Sequence, residues 1–294
     1  MGGKELPNLV VFGDPRKGDV GQAVSEFADF VTGKATTLAS CRIEECTVDM
    51  LKEADFAVVF GGDGTIISAA RALSQTETPV IGVNLGKLGF LAEFSIEELK
   101  EYFDDIMAGR TRIEKRMMLG CRVVRDGREL FSSAAVNDVF VTAGPPFRMI
   151  ELQIRVDGQA LAGCFSDGLI VCTPTGSTAY NLSAGGPIVA GKMEGMVVTP
   201  ICPHSLSFRP IVVNADSKLE VTGVHLNQGT TISIDGQIYS KLMLGDIVTI
   251  EKEGSDFLLV NNPTRNYWET LASKLNWAEK PKYKIVDKKK SRRT

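Results

Sequence analysis

Histidine is scarce in this chain, with only His204 and His225 among 294 residues. Cysteines stand at 41, 46, 121, 164, 172 and 202, none of them spaced as CxxC, so the ligand pattern of a zinc site is missing. Cys172 lies in an apolar run and reads as a small core residue. Together these features favour a reducing, cytoplasmic compartment. No apolar run approaches the ~18 residues of a membrane span, and MGGKELPNLV lacks the charged-then-apolar layout of a signal peptide, so no membrane partner is expected. An excess of positive charge is missing too: the formal net charge is -3, which gives no field for nucleic acid. The basic end KKKSRRT is short and alone, and reads as a solvated tail. Two nucleotide-binding signatures are absent, GxxxxGK[ST] and GxGxxG. Gly186 to Lys192 approaches the first, but Met193 stands where a hydroxyl would hold magnesium. A dinucleotide, if bound, is bound by a different route from that of a dehydrogenase.

What is present is enough apolar residue, 44%, to bury a core. Residues 1–113 alternate strand and helix patterns. PNLVVFG (7–13), Phe56 to Phe60 and Pro79 to Val83 are short apolar runs. Between them Val20, Val24, Phe27 and Val31 repeat at helical spacing. Ser95 and Glu98 make a capping box ahead of the stripe Ile96, Leu99, Tyr102, Phe103 and Ile106. This alternation predicts an α/β domain built on a Rossmann-like parallel sheet. From residue 114 to 265 the texture is β-rich. Asp-Gly pairs at 126–127, 157–158 and 235–236 lie between β-prone stretches and predict tight hairpins. KLEVTGV, TTISIDG and DIVTIEKEG continue the pattern, which predicts an all-β, sandwich-like domain.

Three stretches carry chemistry. Gly61-Gly62-Asp63-Gly64-Thr65 follows an apolar run and opens a helical one. Glycines at a strand's carboxyl end let backbone N–H groups reach phosphate oxygens, and a helix N-terminus adds partial positive charge. A carboxylate there would repel phosphate, so Asp63 either binds magnesium or takes a proton from an attacking hydroxyl. A tight turn with Asp63 as helix cap also fits the spacing. The second stretch, Ser166 to Pro187, begins as the strand LIVCT and continues into hydroxyls and glycines from Thr173 to Ser177, then Thr178, Ala179 and Tyr180. Such a loop suits sugar and phosphate, and Tyr180 could lie against a ring or be a half-buried core aromatic. The third is Asn137-Asp138, a polar break in a β-prone run, which a ribose diol or a turn would satisfy.

Together these motifs resemble the NAD kinase family. GGDGT at 61–65 resembles a phosphate loop shared with lipid kinases and phosphofructokinases. DGLIVCTPTGSTAYNLSAGGP at 167–187 is far more specific. Asn137-Asp138 resembles the family's Asn-Glu/Asp pair, and GVNLGKLGFLAEF, EKRMML, PICPHSLSFRPIVV and Asp235-Gly-Gln237 fit in order and spacing across residues 55 to 250. The resemblance implies an NAD kinase, a phosphotransferase that uses ATP, sometimes polyphosphate, with a divalent metal such as Mg²⁺. Asp63 would be the general base on the adenosine 2′-hydroxyl of NAD, with Gly62 and Gly64 beside it. Asn137 and Asp138 would hold ribose and base, Arg148 the dinucleotide, and Asp167 the nicotinamide side. Thr178, Ala179, Tyr180, Asn181, Leu182 and Ser183 would line the adenosine pocket, which Gln237 would close. The resemblance also implies a homotetramer or homodimer with sites completed across subunits, and a segment 266–294 that packs back on the α/β domain. Phe165 departs from the pattern where many relatives carry a basic residue near the phosphates; Phe208 and Thr111 depart elsewhere. A lipid kinase fits less well, because an acyl chain wants an apolar slot rather than the hydroxyl-rich 173–183 loop. A sensor without turnover is disfavoured by the presence of Asp63.

Overall fold

A computed structural model describes residues 6–86 and 89–277. In the α/β part the elements are β1 (Asn8–Phe12), α1 (Gly18–Val31), β2 (Thr36–Cys41), α2 (Val48–Lys52), β3 (Phe56–Phe60), α3 (Asp63–Ala72), β4 (Val80–Val83), α4 (Ile96–Met107) and β5 (Ile113–Arg116). There follow β6 (Leu119–Arg125), β7 (Arg128–Ala135), β8 (Asp138–Thr142), β9 (Ile150–Val156), β10 (Gln159–Ser166), β11 (Gly168–Cys172) and the short helix α5 (Tyr180–Ser183). The chain continues through β12 (Gly195–Ile201), β13 (Ile211–Asn214), β14 (Leu219–His225), β15 (Thr231–Ile234), β16 (Ile238–Lys241), β17 (Ile247–Lys252), β18 (Phe257–Val260) and α6 (Tyr267–Leu275). Among the described residues no helix is long and apolar enough to cross a membrane.

The first sheet has the order β2-β1-β3-β4-β18-β5, parallel from β2 through β18 and closed by antiparallel β5. Its central strands β1, β3, β4 and β18 read as largely apolar runs because both faces are covered, whereas the edge strands β2 and β5 are polar. Side chains alternate between the faces. Val10, Phe12, Ala57 and Val59 pack with α3 on one side. Leu9, Val11, Val58 and Phe60 pack with α1 and α4 on the other. The predicted capping box is present: Ser95 Oγ accepts from Glu98 N and the Glu98 carboxylate accepts from Ser95 N. Cys41 and Cys46 form a disulfide at the end of β2, a pairing outside CxxC spacing that the sequence did not signal.

The other sheets are antiparallel, β10-β9-β14-β17-β6-β7 and β13-β12-β11-β8-β15-β16. One continuous core lies between them, with Val123, Ile154 and Val248 from one sheet against Val141, Val171 and Ile232 from the other. This is the expected sandwich. All three Asp-Gly pairs are hairpin turns with positive φ at both residues, from 50° at Asp126 to 76° at Gly127, as tight hairpins require. Sheet membership is less simple than a division at residue 113. β5 and β18, whose residues fall mostly inside the stretch 114–265, are strands of the α/β sheet. A second unit begins at Pro263. Its helix α6 is capped by the Asn266 side chain, which accepts from Trp268 N. Residues 278–294 of the segment expected to pack back lie outside the described residues.

Candidate functional site

The Gly-rich loop 61–65 sits where an open parallel sheet binds ligands, at the carboxyl ends of its strands. β3 delivers Gly61, Gly62 caps α3, and Asp63 is the first helical residue. Two clefts of about 230 and 260 Å³ flank the loop. Gly13, Asp14 and Lys17 from the β1–α1 connection, with Arg42 after β2, border one or both. A larger cavity of about 1100 Å³ lies at the amino ends of β1 and β3, away from the loop.

Asp63 is held by the chain that follows β4. Its Oδ2 accepts from Phe90 N at 2.8 Å, and its Oδ1 from Leu91 N at 3.0 Å and Ala92 N at 3.2 Å. A Cβ on Gly89 would stand 1.9 Å from Oδ1, so only glycine lets the backbone lie across the carboxylate. The single N–H on Oδ2 leaves that oxygen a lone pair.

Asn137 and Asp138 join β7 to β8. Asp138 is 3% exposed. Its carboxyl meets no hydrogen-bond donor among the described residues. Burial, and then the negative charge of Asp235, push it up to about 7. Asp235 itself is buried and organises this junction. Its Oδ1 accepts from Asn137 N at 2.7 Å and Asp138 N at 3.1 Å, and its Oδ2 accepts from Val136 N at 3.1 Å. Arg71 Nη1 donates to the same Oδ2 at 2.8 Å. Burial raises Asp235 above the ordinary carboxylate range, while the three N–H groups and Arg71 draw it back.

The hydroxyl-rich run turns largely inward. Thr173 Oγ1 donates to Val136 O at 2.6 Å, Ser177 Oγ donates to Pro174 O at 2.6 Å, and Thr178 Oγ1 donates to Thr175 O at 3.3 Å. Asn181 is fully buried. Its amide donates to Ser177 O and Pro187 O, and its carbonyl accepts from Thr199 Oγ1. Its side chain therefore braces the loop and has no polar atom left for a ligand. Leu182 is half-buried, and Ser183 and Tyr180 are exposed. Tyr180 stands edge-on to Phe140 at 5.1 Å and 77°. Ala179 turns the chain into α5. Gly176 presses on the Asn137 carbonyl: a Cβ there would lie 2.1 Å from Asn137 O. Gly176→Ala is expected to destabilise the fold by ~1–3 kcal/mol, read as a lower melting temperature, because backbone meets backbone.

Gln237 is exposed, and its side chain is bonded to α3. Its Oε1 accepts from Ser68 Oγ at 2.6 Å and Arg71 Nη2 at 2.7 Å, and its Nε2 donates to Gly64 O at 2.8 Å. Hydrogen bonds through Arg71 and Asp235 thus link Gly64 and Gln237 to the backbone of Asn137 and Asp138, with Asp63 next to Gly64 in the chain and Tyr180 near Asp138. Arg148 and Asp167 stand apart. Arg148 is exposed between β8 and β9. Asp167 N donates to Ile201 O at 3.0 Å. It adjoins Gly168, which pairs with Thr142, whereas Asp138 pairs with Cys172 at the other end of the same strands. Four strand steps at ~3.3 Å each put these ends ~13 Å apart. Phe165 is about half exposed and lies edge-on to His204.

Sequence reading passed over Arg71, Asp235, Ser68 and the β1–α1 connection as site residues. A signal existed for some of them: Gly64, Ser68 and Arg71 recur at i, i+4 and i+7, one face of α3. Among the described residues no three His, Cys, Asp or Glu side chains gather to hold a metal.

Residues 22–111 match the family model of the ATP-NAD kinase N-terminal domain, and residues 136–261 match that of the C-terminal domain. The NAD kinase of Rhodopirellula baltica is 37% identical over 92% of this chain and 87% of its own length. That of Geobacter sulfurreducens is 43% identical over 77% of this chain and 80% of its own. A yeast NADH kinase complexed with NADH superposes with a TM-score of 0.84 at 27% identity, covering 96% of this chain and 91% of that one. An Archaeoglobus fulgidus NAD kinase in complex with ATP gives 0.71 at 26% identity, covering 92% and 99%. With both halves matched in order and relatives aligned across most of its length, the chain belongs to the NAD kinase family of phosphotransferases.

Proposed function

We propose that the protein transfers the terminal phosphoryl group of ATP to the adenosine-ribose 2′-hydroxyl of NAD, giving NADP and ADP. The observation that carries this reading is Asp138. It is a 3% exposed carboxyl that no protein donor meets among the described residues, on the backbone that Asp235 and Arg71 tie to the helix opened by Asp63. Burying such a group is costly unless a ligand completes it, and a ribose hydroxyl is a donor of the right kind. The relatives' names and the NADH and ATP in the solved complexes support the same substrates.

In this reading the 2′-oxygen attacks the terminal phosphorus, and the bond to the bridging oxygen of the leaving diphosphate breaks. The hydroxyl proton passes to Asp63 Oδ2. Catalysis is then positioning and charge stabilisation. Gly62 and Gly64 offer backbone beside the transferring group, and Asn137 and Asp138 hold ribose and base. Tyr180 and the backbone from Thr178 through Ser183 shape the adenosine pocket, and Gln237 closes it by fixing Gly64. A divalent metal such as Mg²⁺ would arrive on the donor's phosphates, since the chain's described carboxylates do not gather into a cage for it; there it would offset phosphate charge. Arg148 and Asp167, set apart from Asp63, fit contact with a dinucleotide in another copy of a homotetramer or homodimer. A cytoplasmic location fits these metabolites.

Donor phosphates fit the clefts beside β1. Arg16 is engaged, donating from Nε and Nη2 to Asp14, which it pulls down to about 2. Lys17 borders both clefts and makes no ion pair among the described residues. Lys17→Ala is therefore expected to raise KM for ATP by about tenfold, the equivalent of one charged phosphate contact, and to leave KM for NAD unchanged. Steady-state kinetics with each substrate varied in turn checks this. The activity itself is tested by NADP formation from NAD, ATP and magnesium, read through an NADP-specific dehydrogenase. No NADP from folded protein that still binds NAD would overturn the proposal in favour of a sensor.

A further inference from the structure

The two walls of the site come from distant parts of the chain, and one pair of charges joins them. Arg71 and Asp235 are 164 residues apart. Their side chains are 14% and 0% exposed. Arg71 lies two turns along α3 from Asp63. Asp235 lies at the hairpin turn between β15 and β16, where its carboxylate gathers the backbone N–H groups of Val136, Asn137 and Asp138. The same guanidinium reaches Gln237, which returns to Gly64 O. α3 is thereby tied to one turn at its first residues and at Ser68 through Gln237, and at its last turn through Arg71.

We propose that Arg71 and Asp235 are positioning residues, a latch that sets the distance and register of the Asp63 phosphate loop against the Asn137-Asp138 pair. Neither needs to touch substrate. The proposal rests on the reading that Asp63 and Asn137-Asp138 serve one reaction. The two halves of the latch have different jobs. Asp235 holds the junction by three N–H bonds even without Arg71. Arg71 adds the register of α3. A planar guanidinium suits this place because it meets two acceptors at once, Asp235 Oδ2 and Gln237 Oε1.

The test uses the full chain with Arg71→Met, Arg71→Lys and Asp235→Asn, each checked for a cooperative melt. Arg71→Met is expected to lower kcat by about 10²-fold, the cost of misplacement on the order of 1 Å, with KM for NAD within about threefold. Arg71→Lys, which keeps the charge but meets one acceptor, is expected to recover most of that loss, and it replaces Arg71→Met should the latter not fold. Asp235→Asn is expected to damage kcat and KM for NAD together. Amide hydrogen exchange without substrates supplies a second arm. The first turn of α3 should exchange faster in Arg71→Met while residues 136–138 stay protected, and both should exchange faster in Asp235→Asn. Equal loss in kcat and KM in Arg71→Met, or no recovery with lysine, would reduce the pair to general stability. Unchanged exchange at α3 overturns the latch even if wild type forms no NADP, an outcome that would separately overturn the activity.

Discussion

Asp63→Asn is expected to lower NADP formation by about 10²–10⁴-fold while NAD affinity stays within about threefold, the pattern of an interaction needed only in the transition state. A ribose hydroxyl is a poor nucleophile at neutral pH, and an amide cannot accept its proton. The structure adds a complication that makes the variant informative. Asp63 also clamps the chain at 90–92 through three N–H bonds. Asparagine has one carbonyl oxygen, so its NH₂ would face an N–H donor on one side, and at least one bond is lost. If clamping were the whole role, the variant would lose stability and NAD binding in step with turnover. If Asp63 is the base, NAD binding changes little and turnover collapses far beyond what the modest drop in melting temperature from one lost bond accounts for. Substantial residual turnover in a stable variant would refute the base assignment. Measuring kcat, the NAD dissociation constant by calorimetry and a thermal melt on one preparation separates these outcomes.

Much of this arrangement was legible in the sequence where the information is local. The run Phe56–Phe60 is β3 residue for residue, because a fully covered parallel strand needs no polar alternation. Asp-Gly marked each tight turn, because only such residues tolerate positive φ twice in succession. The position of Asp63 after an apolar strand and ahead of a helix is what β3 and α3 display. What the sequence hid was of two kinds. Long-range pairing was one: nothing near Phe257–Val260 says that it joins β4 in a sheet nearly two hundred residues back. The direction of polar side chains was the other. Asn181 and Thr173 read as ligand contacts in a hydroxyl-rich loop, yet Asn181 and Thr173 hold that loop together from inside. Asp235 read as half of a turn and proved to be the carboxylate on which the Asn137-Asp138 junction hangs. Composition reveals that a loop is polar; only the fold decides which of its polar atoms the backbone has already claimed.

The unmet carboxyl of Asp138 yields the second large effect, and it concerns stability as well as binding. Burial and the nearby Asp235 raise its pKa from 3.8 to about 7. A carboxyl raised in the folded state contributes stability that is fully present below about pH 4 and is lost as pH rises through about 7. At ~1.36 kcal/mol per unit, the loss across that window is roughly 3–5 kcal/mol. Asp138→Asn has the same shape and does not titrate. The variant is therefore expected to gain on wild type from pH 4 to about pH 7, to level off above that, and to be the more stable protein at pH 8 in the absence of substrate. The same change should weaken NAD binding by about tenfold or more, since a neutral amide replaces a charged acceptor for the ribose. Bound NAD supplies the donors that the carboxylate lacks, so saturating NAD should stabilise wild type much more than the variant at pH 8. Denaturant melts at pH 5, 6.5 and 8, with and without NAD, read both effects. A difference between the proteins that is flat with pH would show that Asp138 is not the titrating group. A difference that varies with pH but ignores NAD would remove Asp138 from the binding site while leaving its burial intact. The combination expected, a residue that costs the empty fold stability at neutral pH and returns it when the ligand arrives, is how a buried carboxylate serves a binding site rather than a core.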